Sequence, residues 1–143
     1  MPRLSVYALR MALLYFLLGI SMGALLLANK AMPVSGAIWA MLPIHIEFLL
    51  FGWMVQFVFG VGFWIFPRFT AHPRHGRSSL AWASLGLLNT GLLLVAAGAL
   101  TGQASANLLG RAAENGSAVL FVIYAWGRIR PTATGANRAI EAP

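Results

Sequence analysis

Apolar residues fall in four long stretches along this chain, separated by short polar or basic segments. Between Arg10 and Lys30 the run Met11 to Asn29 is uncharged, and it holds Gly19 and Gly23 in a G-x-x-x-G spacing that lets another helix approach closely. Arg3 and Arg10 ahead of this run imitate a signal peptide, but the run is too long for a typical h-region, so it is expected to be retained. The turn Asn29 to Gly36 leads into a second stretch, 35–66, whose only ionisable residues are His45 and Glu47; it is long enough to tilt or to kink near Pro43, and Pro67 closes it. A basic loop follows, and then a charge-free third stretch from Leu80 to Leu100, rich in Leu, Ala and Gly. The fourth is weaker, because Gly116 to Gly127 covers only about 18 Å at helical rise and must borrow the preceding turns back to Ala106. That extension brings Arg111, Glu114 and Asn115 inside the helix near its outer end, where Arg111 and Glu114 stand three apart and can pair. The expected helices are therefore about 11–29, 35–66, 80–100 and 106–127, forming one domain over 1–130, with 131–143 a flexible tail on the cytoplasmic side.

Composition sharpens this into a solvent argument. The chain is 59% apolar and 9% charged, far below the roughly one-quarter charged fraction of a soluble domain, so its main solvent is lipid. A hydrocarbon core about 30 Å thick takes roughly 20 helical residues to cross, and the chain has room for four crossings and short loops. The expected fold is an all-α, integral membrane four-helix bundle packed through small residues on the first and third helices. The net charge of +7 comes from single basic residues at the ends of apolar runs, without the clustering of a nucleic-acid surface, so membrane lipid is expected as a partner and nucleic acid is not. Counting them sets the topology: Arg3, Arg10, Arg68, Arg74, Arg77, Arg128, Arg130 and Arg138 fall on one side against Lys30 and Arg111 on the other. The positive-inside rule then predicts a multi-pass protein of a bacterial-type inner (plasma) membrane, N-in and C-in, with His45 in the outer half.

The absence of cysteine excludes disulfides, thiolate metal sites, thioether haem attachment and iron–sulfur ligation, so any cofactor must use histidine, carboxylate or backbone. An ionisable residue in hydrocarbon costs a few kcal/mol and is a functional candidate, which directs attention to the second stretch. At about 100° per residue, His45, Leu49, Gly52, Gln56, Phe59, Gly60 and Phe63 share one helical stripe. It joins a ligand, small gaps and aromatic walls, which is what a haem lying along a helix requires.

The same segment resembles the second helix of subunit I of the haem-copper oxidases and nitric oxide reductases, and most closely the form in cbb3-like oxidases. The matching residues are His45, Phe51 to Trp53, Phe59 with Gly60, and Phe66 to Phe69. In that family the histidine at the start of this helix ligates the low-spin haem on the outer side of the membrane. The resemblance implies a b-type haem with His45 as its iron ligand, and Gly52, Gln56 and Gly60 as the adjoining surface. It covers about 25 residues, in one helix. The family's catalytic centre needs further histidines on later helices, and none occurs here after His75, so the chain alone cannot reduce oxygen or nitric oxide. Nor does it supply a second axial histidine, which would come from another copy or another subunit, unless the haem is five-coordinate.

Other readings stand beside these. His45 is equally a histidine that hydrogen-bonds to a neighbouring helix and ties the helices together, and other metal or proton-handling roles remain open to it. Glu47 lies roughly 200° round the helix from His45 and is expected to meet a polar group on another helix or subunit, Arg111 among them, or to sit in the headgroup layer. Arg111 can neutralise haem propionates, although pairing with Glu114 accounts for it with less machinery. His72 and His75 lie among Arg68, Arg74 and Arg77, where cation repulsion disfavours a divalent metal and an ordinary positive-inside loop is expected. Trp39, Trp64, Trp82 and Trp126 stand near run ends, as an aromatic belt predicts. The chain has no aspartate and no general base beside any serine, so an autonomous enzyme is not expected. Two functions follow: a small haem-bearing subunit for electron transfer or for redox or gas sensing in a respiratory-type complex, or a cofactor-free structural accessory to a larger respiratory or photosynthetic membrane complex. Either implies other membrane subunits or a homo-oligomer.

Overall fold

The computed structural model describes residues 1–66 and 78–129, whose regular elements are all helices. We number four: α1 (Arg3–Ala31), α2 (Gly36–Ile65), α3 (Ser78–Thr101) and α4 (Ala104–Trp126). The loop with His72 and His75, most of the Phe66 to Phe69 motif and the tail beyond Ile129 lie outside the described residues.

α1 is 29 residues long, about 44 Å at helical rise, and exceeds a hydrocarbon core of about 30 Å. It begins well before the uncharged run because arginine is a good helix former, and Arg3 and Arg10 can keep their charged heads outside lipid while helical. At its far end Asn29 Oδ1 accepts from the backbone N–H of Val34 and of Ser35, both at 3.0 Å, which satisfies the turn into α2. Leu13, Leu17, Leu25 and Leu27 of α1 are more than half exposed, the outward apolar surface of a helix solvated by lipid.

α2 changes its winding three times: a 3-10 turn over Gly36–Met41, α-helix over Leu42–Glu47, π-helix over Phe48–Val55, and α-helix again over Gln56–Ile65. Pro43 sits in the first turn of the upper α segment, where its missing N–H costs nothing. The π stretch has a visible consequence in the pattern of burial. Ile44, Phe48, Gly52, Gln56 and Gly60 are all buried at a strict spacing of four. On a regular α-helix that spacing overshoots a turn by about 40°, so four steps would swing by about 160° and leave the interior. The wider i to i+5 turns hold more residues and cancel the drift. Hence Ile44 and Phe48, with Glu47, are the buried positions of the upper half, while His45 and Leu49 are only partly buried; the expected stripe is displaced by one residue there.

α1 packs along α2, and α3 packs along α4 to a similar extent. Gly102, at φ 70°, makes the tight turn between α3 and α4. The α3–α4 contact is backbone on backbone: a Cβ on Gly91 would lie 2.9 Å from the carbonyl oxygen of Gly110, and one on Gly98 would lie 2.7 Å from the amide nitrogen of Asn107. Lower down, Ser84 Oγ donates to the Ser117 carbonyl at 3.0 Å and Ser117 Oγ to the Ser84 carbonyl at 2.8 Å, with both serines fully buried. Ser84→Ala and Ser117→Ala should each destabilise the protein by about 1 kcal/mol in detergent melting, and the double variant by about their sum, since each hydroxyl donates to a backbone carbonyl that the other change leaves in place.

The two helix pairs meet through aromatic stacking. Phe59 lies on Phe121 with centroids 4.0 Å apart, and Phe63 on Tyr124 at 5.4 Å. Tyr15 donates to Asn89 Oδ1 at 3.1 Å while Asn89 Nδ2 donates to the Leu85 carbonyl at 2.8 Å. α1, α2 and α3 are each long and apolar enough to cross a membrane; α4, with Asn107, Arg111, Glu114 and Asn115 in its first half, is not among them.

Candidate functional site

His45 sits where the end of α1 meets the start of α2. Its Nδ1 lies 2.7 Å from the Gly19 carbonyl oxygen. A carbonyl only accepts, so Nδ1 carries the proton and is the donor. The imidazole lies across Gly23, where a Cβ would stand 2.6 Å from Cε1. Gly19 and Gly23, noted for their spacing, are thus the seat of this histidine: the first presents a carbonyl and the second gives the ring room. Beside the ring is a groove of about 250 Å³ lined by Gly23, Leu26, Leu27, Lys30, Trp39, Leu42 and His45. It is apolar except for the imidazole and one ammonium.

The lower half of the expected haem stripe is taken up within the chain. Against Gly52 lies the ring of Tyr15, whose Cγ would be 2.6 Å from an added Cβ, and against Gly60 lies Ala8, at 3.0 Å. Gln56 is fully buried and donates from Nε2 to the Ala8 carbonyl at 3.4 Å. A flat ring along this face of α2 would need the space α1 fills, so Gly52, Gln56 and Gly60 do not fit such a group; they admit α1. The G-x-x-x-G argument and the ring argument call for the same glycines, and the sequence alone does not separate them.

Arg111 is held elsewhere. Its Nη1 lies 2.5 Å from Glu47 Oε2 and 3.3 Å from Glu114 Oε2, so one guanidinium nitrogen serves two carboxyls from α2 and α4. Glu47 and Glu114 are 1% and 2% exposed, and the second oxygen of each, Oε1, is buried without a hydrogen-bond partner. The pairings of Arg111 with Glu47 and with Glu114 agree with the expectation from spacing and from the cost of a lone charge in lipid. A propionate role for Arg111 would compete with both. Its guanidinium also lies over the Phe51 ring, 5.9 Å from the centroid. On its outer side Arg111 lines a groove of about 520 Å³ with Gly98, Gly102, Gln103 and Asn107, at the α3–α4 turn.

Arg128, counted above only as a topology charge, is almost fully buried at the opposite end. It donates to the Tyr124 hydroxyl and, at 2.8 Å, to the Phe66 carbonyl, and it lies over the Phe63 ring. The free carbonyl at the end of α2 is the acceptor, a signal that Pro67 after Phe66 makes legible, since a helix broken by proline leaves carbonyls to satisfy.

Among the described residues no three His, Cys, Asp or Glu side chains are grouped to hold a metal ion by themselves. Comparisons with protein-family models, with curated proteins and with solved structures find no match to this chain.

Proposed function

We propose that the protein is a small b-type haem protein, or a haem-bearing subunit, of a bacterial-type inner membrane, with four crossings, both ends on the cytoplasmic side, and His45 Nε2 as the iron ligand. The observation that carries this reading is the 2.7 Å contact between His45 Nδ1 and the Gly19 carbonyl. Such a contact fixes the tautomer, orients the ring and raises the basicity of the other nitrogen, as the outer partners of metal-bound histidines do. The groove beside the ring has apolar walls, and the Lys30 ammonium at its rim suits an acidic substituent. A haem so held would supply a one-electron redox centre or a site for a diatomic gas.

At about 250 Å³ the groove is smaller than the roughly 300–1,000 Å³ of an enclosing ligand pocket, so it would hold part of a macrocycle, the remainder being covered by a second copy or another membrane subunit. That is also where a second axial ligand would come from. The orientation rests on the basic residues, and the fourth crossing on Arg111 of α4 being paired with carboxyls of α2 and α4.

A second reading, a cofactor-free accessory subunit, is favoured by the filled Gly52 and Gly60 positions, which give α1 the place a ring would need. The two separate on absorbance. Purified wild type should show a Soret band and a b-type pyridine haemochrome, and His45→Ala should lose more than nine-tenths of it while keeping its helical circular dichroism. Colourless wild type from cells with ample haem would remove the haem reading and leave the accessory one.

A further inference from the structure

Two carboxyls and one guanidinium leave the Glu47–Arg111–Glu114 cluster with one negative charge too many if both acids are ionised. Glu114 is 2% exposed, and its Oε1 has no hydrogen-bond partner. An uncompensated charge in such a place is costly, and a group so placed neutralises instead. The neighbouring elements offer no other compensation. α3 contributes no ionisable side chain, only the backbone around Gly91, and α1 has no charged residue between Arg10 and Lys30. His45 is turned to Gly19, with its Nδ1 already committed. A metal cation would have to share the cluster with the guanidinium, and a third carboxylate or histidine ligand is lacking among the described residues.

The geometry also says which acid takes the proton. Arg111 Nη1 is 2.5 Å from Glu47 and 3.3 Å from Glu114, so Glu47 keeps the tighter ion pair. The route to water is on the same residue: the Arg111 side chain, 42% exposed, faces the 520 Å³ groove at the α3–α4 turn. We propose that Glu114 is a proton-binding site, carrying the one proton that balances the cluster at neutral pH and exchanging it with water through this groove. The ligand is the proton itself, and the site stands independently of any haem at His45.

Infrared spectroscopy of the full chain in lipid vesicles tests this directly, because the sequence has only three acidic side chains: Glu47, Glu114 and Glu141. With ¹³C at the glutamate carboxyls, wild type at pH 7 should show a protonated-acid C=O band equivalent to one group per chain, and it should move to lower frequency within minutes in D2O. Glu114→Gln and Glu47→Gln should each abolish the band, since either leaves one carboxylate for one guanidinium; Glu141→Gln should leave it unchanged. A wild-type spectrum without an acid band overturns the proposal whether or not the variants fold. So does a band that persists in Glu114→Gln or in Glu47→Gln, or one that D2O does not move.

Discussion

Arg111→Ala should cost about 3 kcal/mol of stability and sharply reduce the folded yield in detergent, more than any other single charge deletion in the described helices. The reason is the burial of its partners: Glu47 and Glu114 are almost fully enclosed, and without the guanidinium both carboxyls face apolar surroundings with no cation from α1 or α3. The figure sits at the lower end for a broken buried pair because the ion-paired acid, Glu47, can take up a proton once the arginine is gone. Arg111→Lys should be milder, since both carboxyls use a single nitrogen, Nη1, and an ammonium can take its place without the fork geometry of the guanidinium. Adding Glu47→Gln and Glu114→Gln to Arg111→Ala should recover most of the loss. Thermal melting followed by circular dichroism gives all of these; an Arg111→Ala protein that melts with wild type would mean the cluster contributes nothing to the fold.

Gly110→Ala should have an effect of similar size, about 2–3 kcal/mol, by pushing α3 and α4 apart. A methyl at Gly110 would stand 2.6 Å from Val95 Cγ2 and 2.8 Å from both the Gly91 carbonyl and the Val95 amide nitrogen. Two of these three are backbone atoms and cannot turn aside. Gly86→Ala, on the exposed side of α3 with nothing within 4 Å of the new atom, is the matched control and should be neutral or stabilising by up to about 1 kcal/mol, the helix propensity difference between the two residues. If both changes shift melting equally, the contact along Gly91, Gly98 and Gly110 does not hold the pair together.

How much of this could be read from the chain differs from feature to feature, for physical reasons. The helices could, because crossing lipid demands long apolar runs and this leaves a coarse mark on composition; α4 was read despite its polar first half, because Arg111 and Glu114 stand at pairing distance. The Glu47 to Arg111 contact was also legible, since few cations are available to a buried acid in so uncharged a chain. The surroundings of His45 were legible only in part. Gly19 and Gly23 signalled a close helix approach, but that the histidine is the residue received there depends on the register between α1 and α2, which no local spacing encodes. The same gap hid Tyr15 against Gly52 and Ser84 against Ser117. The π stretch was hidden for another reason: a count at 100° per residue assumes one winding throughout, and nothing in Phe48 to Val55, all apolar or glycine, announces a different one.

That stretch makes α2 behave as two screws of different pitch joined end to end. The ion-paired Glu47 is on one side of the joint and the Gln56 that touches α1 is on the other. Were these eight residues to relax to ordinary α winding, each would add roughly 20° of turn, and the upper segment would swing by well over 90° against the lower. The carboxylate would then point away from its arginine while every charged residue stayed present. The ion pair of Glu47 with Arg111 is therefore phased by eight residues, Phe48 to Val55, none of which takes part in it, and the winding of that segment constrains the protein as strictly as the identity of Glu47 does.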